Sequence, residues 1–368
     1  MVELAGRRWT VVASLLLALG STALVVLVVV GAEWLARALA PDYLARTRGL
    51  HVFSETYGWA PRQGASTTIE GNRVSFNAVG YRGRELAVPR ADGRTRVVVL
   101  GDSVAFGLDV SDEETFTHLL DARDNGIEAS NLAVQGYGPG QELLVLEREG
   151  LREDPDVVML AFCLANDFAD AVLPVSLYDG RTPTPRFRLV GDRLLLDDSG
   201  PRPSPARAAL QWLGDYSHLF NRAVALVPQE DLLPGLHWRD RKRAALSDED
   251  YVLRLSVALV RRMNALSRER GVTFVVAVFP NQSSYRAKQY LAGRFVESLG
   301  RDGIPVIDMA ARFRALGLRF DDFALDWMGH LSPRGHSVVS QILEAEIRSR
   351  VAQGSRQRAD LGTAISSR

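Results

Sequence analysis

The chain has 368 residues, enough for about two domains or for one α/β domain with sizeable insertions. Lys plus Arg and Asp plus Glu both number 44, so the formal net charge is zero and charge-driven nucleic-acid binding is excluded as a default. A single cysteine, Cys163, excludes an intramolecular disulfide framework and a Cys-rich zinc site, while a 46% hydrophobic content is that of an ordinary globular protein.

The first element is apolar. From Trp9 to Ala32 no residue is charged and Leu, Val and Ala dominate. At about 1.5 Å per residue such a helix covers a hydrocarbon core of roughly 30 Å, longer than the apolar stretch of a cleaved signal peptide. The run reads as a transmembrane anchor, residues 1–40. Arg7 and Arg8 before it and Glu33 after it favour a cytoplasmic N-terminus, which places the rest of the chain across the inner (cytoplasmic) membrane. Residues 41–93 follow as a turn-rich lead-in, carrying Tyr57-Gly-Trp59 and Gly80-Tyr-Arg-Gly83, that is expected to pack irregularly on the next domain.

Strands and helices then alternate. Arg94 to Leu100 is a short, β-branched apolar run bounded by turn residues, the pattern of a buried parallel strand. Further strands are predicted at Ile127 to Val134, Asp156 to Phe162, Val272 to Phe279 and Pro305 to Met309. Helical patterns lie between them at Asp112 to Ala122, Gln141 to Leu151, Asp250 to Arg270 and Arg286 to Leu299, and a last one spans Ser337 to Val351. The alternation implies an α/β three-layer sandwich around a parallel five-stranded sheet, residues 94–352.

One stretch, about 168–247, interrupts the alternation. It holds a candidate hairpin, Arg186 to Asp198, a Pro-rich link and a short helical piece around Gln211 to Leu226. It reads as an insertion after a strand end, where α/β folds place ligand-contacting loops. Its Tyr178, Phe187 and Trp212 are candidates for stacking on sugar rings or for plain packing. Arg239, Arg241, Lys242 and Arg243 read as a solvated helix start. Residues 353–368 are polar and aperiodic, and are expected to be a disordered tail.

Four blocks carry candidate chemistry. Gly101-Asp-Ser103 ends the first strand, where open sheets bind ligands; the serine has a nucleophile's placement and the glycine is expected to leave room for a substrate. Asn131-Leu-Ala-Val-Gln-Gly136 ends the second with a turn whose N–H groups could face a developing oxyanion. Phe162-Cys-Leu-Ala-Asn-Asp167 ends the third, with Asn166 offering a side-chain N–H and Asp167 bracing the loop. Asp326-Trp-Met-Gly-His330 precedes the last helix, and an Asp and a His so close in sequence suit the orienter and general base of a serine nucleophile. His336 reads as part of the last helix's start, and His51, His118, His218 and His237 as ordinary polar residues.

With these blocks in this order, the chain resembles the SGNH hydrolases, the GDSL-type esterase superfamily, from about Arg94 to Val351. The resemblance implies a flavodoxin-like fold and ester hydrolysis. It matches Ser103 to the nucleophile and one oxyanion-hole N–H, Gly136 and Asn166 to the other two donors, His330 to the general base and Asp326 to the orienting acid. The family's third block usually reads Gly-x-Asn-Asp, whereas Leu164 stands at the glycine here. Its last block usually reads Asp-x-x-His, whereas Trp327 stands three before His330 and Asp326 four before. With its anchor the chain also resembles bacterial envelope members associated with acylated surface polysaccharides. That likeness implies a serine esterase acting on acyl, for instance acetyl, esters of an envelope carbohydrate, with no cofactor and no metal. The alternatives are an O-acyltransferase using the same residues and a catalytically silent binding protein. The expected partners are an acylated glycan or small-molecule substrate and the membrane, not nucleic acid.

Overall fold

The computed structural model describes residues 2–39, 50–69, 71–85, 93–123, 125–177, 182–197, 205–226, 238–287 and 289–366. The chain divides into two compact units: residues 1–48 with 204–234, and residues 49–203 with 235–368.

The larger unit is built on five parallel strands, β1 (Thr95–Gly101), β2 (Ile127–Asn131), β3 (Val157–Cys163), β4 (Thr273–Phe279) and β5 (Val306–Asp308). Their spatial order is β5-β4-β3-β1-β2. β1 lies between β2 and β3, with Val97 opposite Ala129 on one side and Val157 on the other. The chain therefore reverses direction across the sheet between β1 and β3, and at that switch point the loops after two neighbouring strands diverge to leave a crevice.

Because successive side chains alternate across a strand, each of these apolar runs feeds both faces. Val97, Val99, Met159, Ala161, Val275 and Ala277 face one core with the helices Phe116–Ala122, Met309–Ala315 and Pro333–Ser366. Val98, Leu100, Val158, Leu160, Val276 and Val278 face the other, against the helices Pro139–Arg148, Glu249–Glu269 and Tyr290–Arg301. The result is the three-layer sandwich expected from the alternation.

Several local expectations shift. The lead-in is not irregular throughout: His51–Ser54 pairs with Gly58–Pro61, and Ser66–Ile69 with Asn72–Ser75, as two antiparallel hairpins. Ser111 opens only a 3-10 turn, Asp112–Glu114, and Thr115 caps the helix Phe116–Ala122 by accepting the His118 N–H. The last helix continues to Ser366, beyond the Val351 end read from apolar periodicity, through residues whose composition suggested disorder. Ala, Arg and Gln in that stretch are good helix formers even where no apolar face persists.

The insertion proves to be two things. Phe187–Val190 pairs with Arg193–Leu196 as the expected hairpin and belongs to the larger unit, with Phe187 buried and Tyr178 outside the described residues. Pro205–Tyr216 and His218–Leu226 are helices of the smaller unit, together with the 38-residue N-terminal helix α1, Val2–Leu39. α1 is long and apolar enough to cross a membrane, with its side chains from Val12 to Val30 exposed.

Candidate active site

β1 delivers Ser103. The strand ends at Gly101, Asp102 accepts the Val104 N–H through Oδ1 at 2.9 Å, and a one-turn helix, Ser103–Phe106, starts at the serine itself. A Cβ at Gly101 would stand 2.8 Å from the Ala105 Cβ and 3.0 Å from the Ala161 Cβ. The glycine therefore lets the turn close on β3, and does not hold open the substrate space expected from the sequence. Two buried side chains outside the predicted set brace this turn. Arg82, from the Gly80-Tyr-Arg-Gly83 motif, donates to the carbonyls of Phe106 at 2.9 Å and Val110 at 2.6 Å and to Asp112 Oδ1 at 2.7 Å. Asn131 donates from Nδ2 to the Ala105 carbonyl at 3.0 Å.

The loop before the last helix delivers the histidine. Asp326 Oδ1 accepts the backbone N–H groups of Met328, Gly329 and His330 at 3.0, 3.0 and 3.2 Å, while Oδ2 stands 2.6 Å from His330 Nδ1. One carboxylate thus shapes the loop and orients the ring. Gly329 is required there: its φ is +96°, and a Cβ would lie 2.4 Å from the Pro280 carbonyl oxygen beyond the end of β4. On the far side of the ring, His330 Nε2 lies 2.8 Å from Ser103 Oγ. Ser103, His330 and Asp326 are brought into one hydrogen-bonded line, and the extra residue between acid and base is taken up by the turn that Oδ1 closes.

The electrostatics of that line follow from its bonds. Burial opposes charge on His330, but the hydrogen bond and charge of Asp326, with Asp102 and Asp109 adding theirs, outweigh it and raise its pKa above the ordinary imidazole value. Burial likewise acts to raise Asp326, and its bonds to the His330 ring and to the loop amides bring it below the usual carboxylate range.

Asn166 and Gly136 are placed differently. Both are buried, Gly136 in a left-handed turn with φ +77° after β2. Neither has a hydrogen bond to Ser103 among those described. Asn166 Nδ2 instead faces two carboxylates, Asp170 Oδ2 at 2.9 Å and Asp167 Oδ1 at 3.3 Å. Asp167 braces the loop as expected, accepting the Cys163 N–H at 2.6 Å. Around them gathers a group of acids, Asp102, Glu142, Asp167 and Asp170, of which the sequence singles out only Asp167. Among the described residues, Asp102 Oδ2 and both Glu142 carboxylate oxygens are buried without a hydrogen-bond partner within ordinary distance. Burial pushes all four upward, with repulsion from neighbouring acids adding to it for Glu142, Asp167 and Asp170, the last to about 8. The spacing Asp167-x-x-Asp170, one helical turn, was the available signal.

Lys242 does not stay in solvent. Its ammonium donates to the Ala165 carbonyl, and burial lowers its pKa while Cys163 and Asp170 pull the other way. His336 is fully buried, and its Nδ1 accepts the Phe116 N–H at 3.1 Å, which ties two helices together. Among the described residues no cluster of His, Cys, Asp and Glu is arranged to hold a metal ion.

No protein-family model and no curated protein matches the chain. Solved structures do. A catalytic mutant of an acetylxylan esterase from Geobacillus stearothermophilus is 13% identical over 69% of this chain and 94% of that one, with a TM-score of 0.39. A lipase/acylhydrolase from Enterococcus faecalis is 17% identical over 70% and 96%, with a TM-score of 0.37. A member of the lipolytic G-D-S-L family from Veillonella parvula is 12% identical over 67% and 94%, also at 0.37. The parallel five-stranded sheet between two helical layers is the α/β three-layer sandwich that the alternation of strands and helices implies.

Proposed function

We propose that the chain is a membrane-anchored serine esterase that hydrolyses acyl esters, acetyl among them, of an envelope carbohydrate. The observation that carries this reading is the line from Ser103 Oγ to His330 Nε2 at 2.8 Å and from His330 Nδ1 to Asp326 at 2.6 Å. A serine hydroxyl is a weak nucleophile at neutral pH, and a base within hydrogen-bond reach, itself oriented by an acid, is what activates it.

In this mechanism His330 Nε2 takes the Ser103 proton as Oγ attacks the ester carbonyl. Asp326 holds Nδ1–H and steadies the imidazolium. The oxyanion is received by the N–H groups of Ser103 and Gly136 and by Asn166 Nδ2, whose 3.3 Å contact with Asp167 is the weaker of its two and the one an oxyanion would replace. His330 returns the proton to the departing alcohol, and a water activated by the same imidazole releases the acid. Arg7 and Arg8 support a cytoplasmic N-terminus and an extracytoplasmic catalytic unit.

The test is labelling by a fluorophosphonate, which needs an activated serine, followed by acetyl release from acetylated glycans against longer-chain esters. Labelling that survives in Ser103→Ala, or a wild-type chain that neither labels nor hydrolyses, overturns the reading. Acetyl groups moved to an added glycan acceptor, not to water, would make it an acyltransferase.

A further inference from the structure

The last turns of α1 are bonded to a segment nearly two hundred residues away. Glu33 Oε1 accepts the His218 N–H at 3.0 Å, and Oε2 accepts the Leu219 N–H at 3.0 Å and the Ser217 hydroxyl at 2.8 Å. Arg37, in a 2.8 Å ion pair with Glu33, donates to the Tyr216 carbonyl at 2.6 Å. Tyr216 ends the helix Pro205–Tyr216, and His218 begins the helix His218–Leu226. A cation therefore closes the carboxyl end of one helix, an anion closes the amino end of the next, and each sign matches the helix dipole it meets. The two helices are held at the turn of α1 just past the end of its charge-free run.

That level has a chemistry. If α1 spans a bilayer from Trp9 to Ala32, Glu33 and Arg37 stand among lipid headgroups, and so do the helix ends they hold. Tryptophan and tyrosine concentrate at this depth because each joins an apolar ring to a polar atom. Trp34 is 71% exposed, Trp212 60% and Tyr216 41%, and the rings of Trp212 and Tyr216 lie 5.7 Å apart, one helical turn from each other. Exposed aromatic rings thus stand on both α1 and the helix Pro205–Tyr216.

We infer that the helices Pro205–Tyr216 and His218–Leu226 form an interfacial collar around the exit of α1, with Trp212 and Tyr216 seated in the headgroup layer of a phospholipid bilayer. The inference rests on the reading of α1 as an anchor. It gives this half of the insertion a lipid surface as its partner, in place of the sugar that Trp212 could have stacked on.

The experiment uses the full chain in phosphatidylcholine–phosphatidylglycerol vesicles, spin-labelled singly at Val26→Cys, Ala209→Cys or Val190→Cys. Cys163 is buried, and the unsubstituted chain serves as the labelling blank. Ala209 is exposed one turn before Trp212, so both aromatic residues stay in place. The collar predicts that dissolved oxygen meets the label more often than a water-soluble nickel chelate at 26 and at 209, and less often at 190. Trp212→Ser with Tyr216→Ser should return 209 to the aqueous pattern of 190. A deep label at 26 with an aqueous one at 209 overturns the collar and leaves the anchor standing. An aqueous label at 26 overturns both. A label at 209 that stays deep without the two aromatic residues overturns their role in seating it.

Discussion

Asp326, in the loop before the last helix, and the four acids gathered around the ends of β1 and β3 are shifted in opposite senses: the part-buried Asp326 is lowered, whereas burial raises the other four. The Asp326 carboxylate has a donor for each oxygen: three amides on Oδ1, an imidazole on Oδ2. It stays ionised, and its charge lifts the pKa of His330. Among the described residues Glu142 has no hydrogen-bond partner for either oxygen and Asp102 none for Oδ2, and both are pushed upward. Burial and the supply of donors together set a carboxylate's state. On the proposed mechanism Asp326 orients the histidine that moves a proton, whereas in the group of four burial favours the protonated form, with Asp170 raised to about 8.

Substitution can break this contrast, beginning with its largest expected effect. Ser103→Ala and His330→Ala should each abolish turnover, and the double variant should be hardly worse than either, because residues acting as one unit lose nearly everything with the first. Steady-state rates of the three variants check this, and a double variant far below both singles would separate the pair. Asp326→Asn should fold normally and lose activity by up to about 10⁴, the upper end for such orienters. Its residual activity should also persist to lower pH. In the wild type Asp326 keeps His330 protonated to a higher pH and so holds the acidic limb of kcat/KM up; without that charge the limb moves down. Asp321→Asn and Asp322→Asn should stay near wild type in rate and profile.

Asp170→Asn carries the smallest effect and tests the other group. A carboxyl raised from 3.8 to about 8 by folding binds its proton more tightly in the folded state, so it adds stability below its unfolded pKa that is lost as pH rises toward 8. The variant should therefore lose less stability than wild type between pH 5 and 8, on the order of 1 kcal/mol for this half-buried group, read from melting temperatures at the two pH values. Equal losses in both proteins would mean that Asp170 does not hold the proton.

The sheet is legible because β1, β3 and β4 are continuous apolar runs, and the Asp326–His330 pairing because four residues bring two side chains to one side of a turn. Arg82 is not, since its acceptors are carbonyls of Phe106 and Val110 that only the folded chain brings to it. The hairpins of the lead-in are not legible because strands of four residues are too short to show a period. Gly101 was noticed for the wrong reason, because sequence cannot tell a glycine that makes room for a ligand from one filled by Ala105 and Ala161. The bonds from Glu33 to residues 217–219 leave no local pattern at all.

The two hydrogen bonds of the Ser103 line span very different lengths of chain: Asp326 and His330 are 4 residues apart, Ser103 and His330 227. Closing a four-residue turn has a small entropic cost, so acid and base can meet on a loop whose neighbours are still disordered. The serine meets them only when β1, the first strand of the sheet, and the loop before the last helix have reached the same end of it. Nucleophile activation is then a late event in folding, and a nascent chain released before its last helix would carry a complete Gly-Asp-Ser turn with no reactive serine. A fluorophosphonate added during refolding would time the closure of the whole domain.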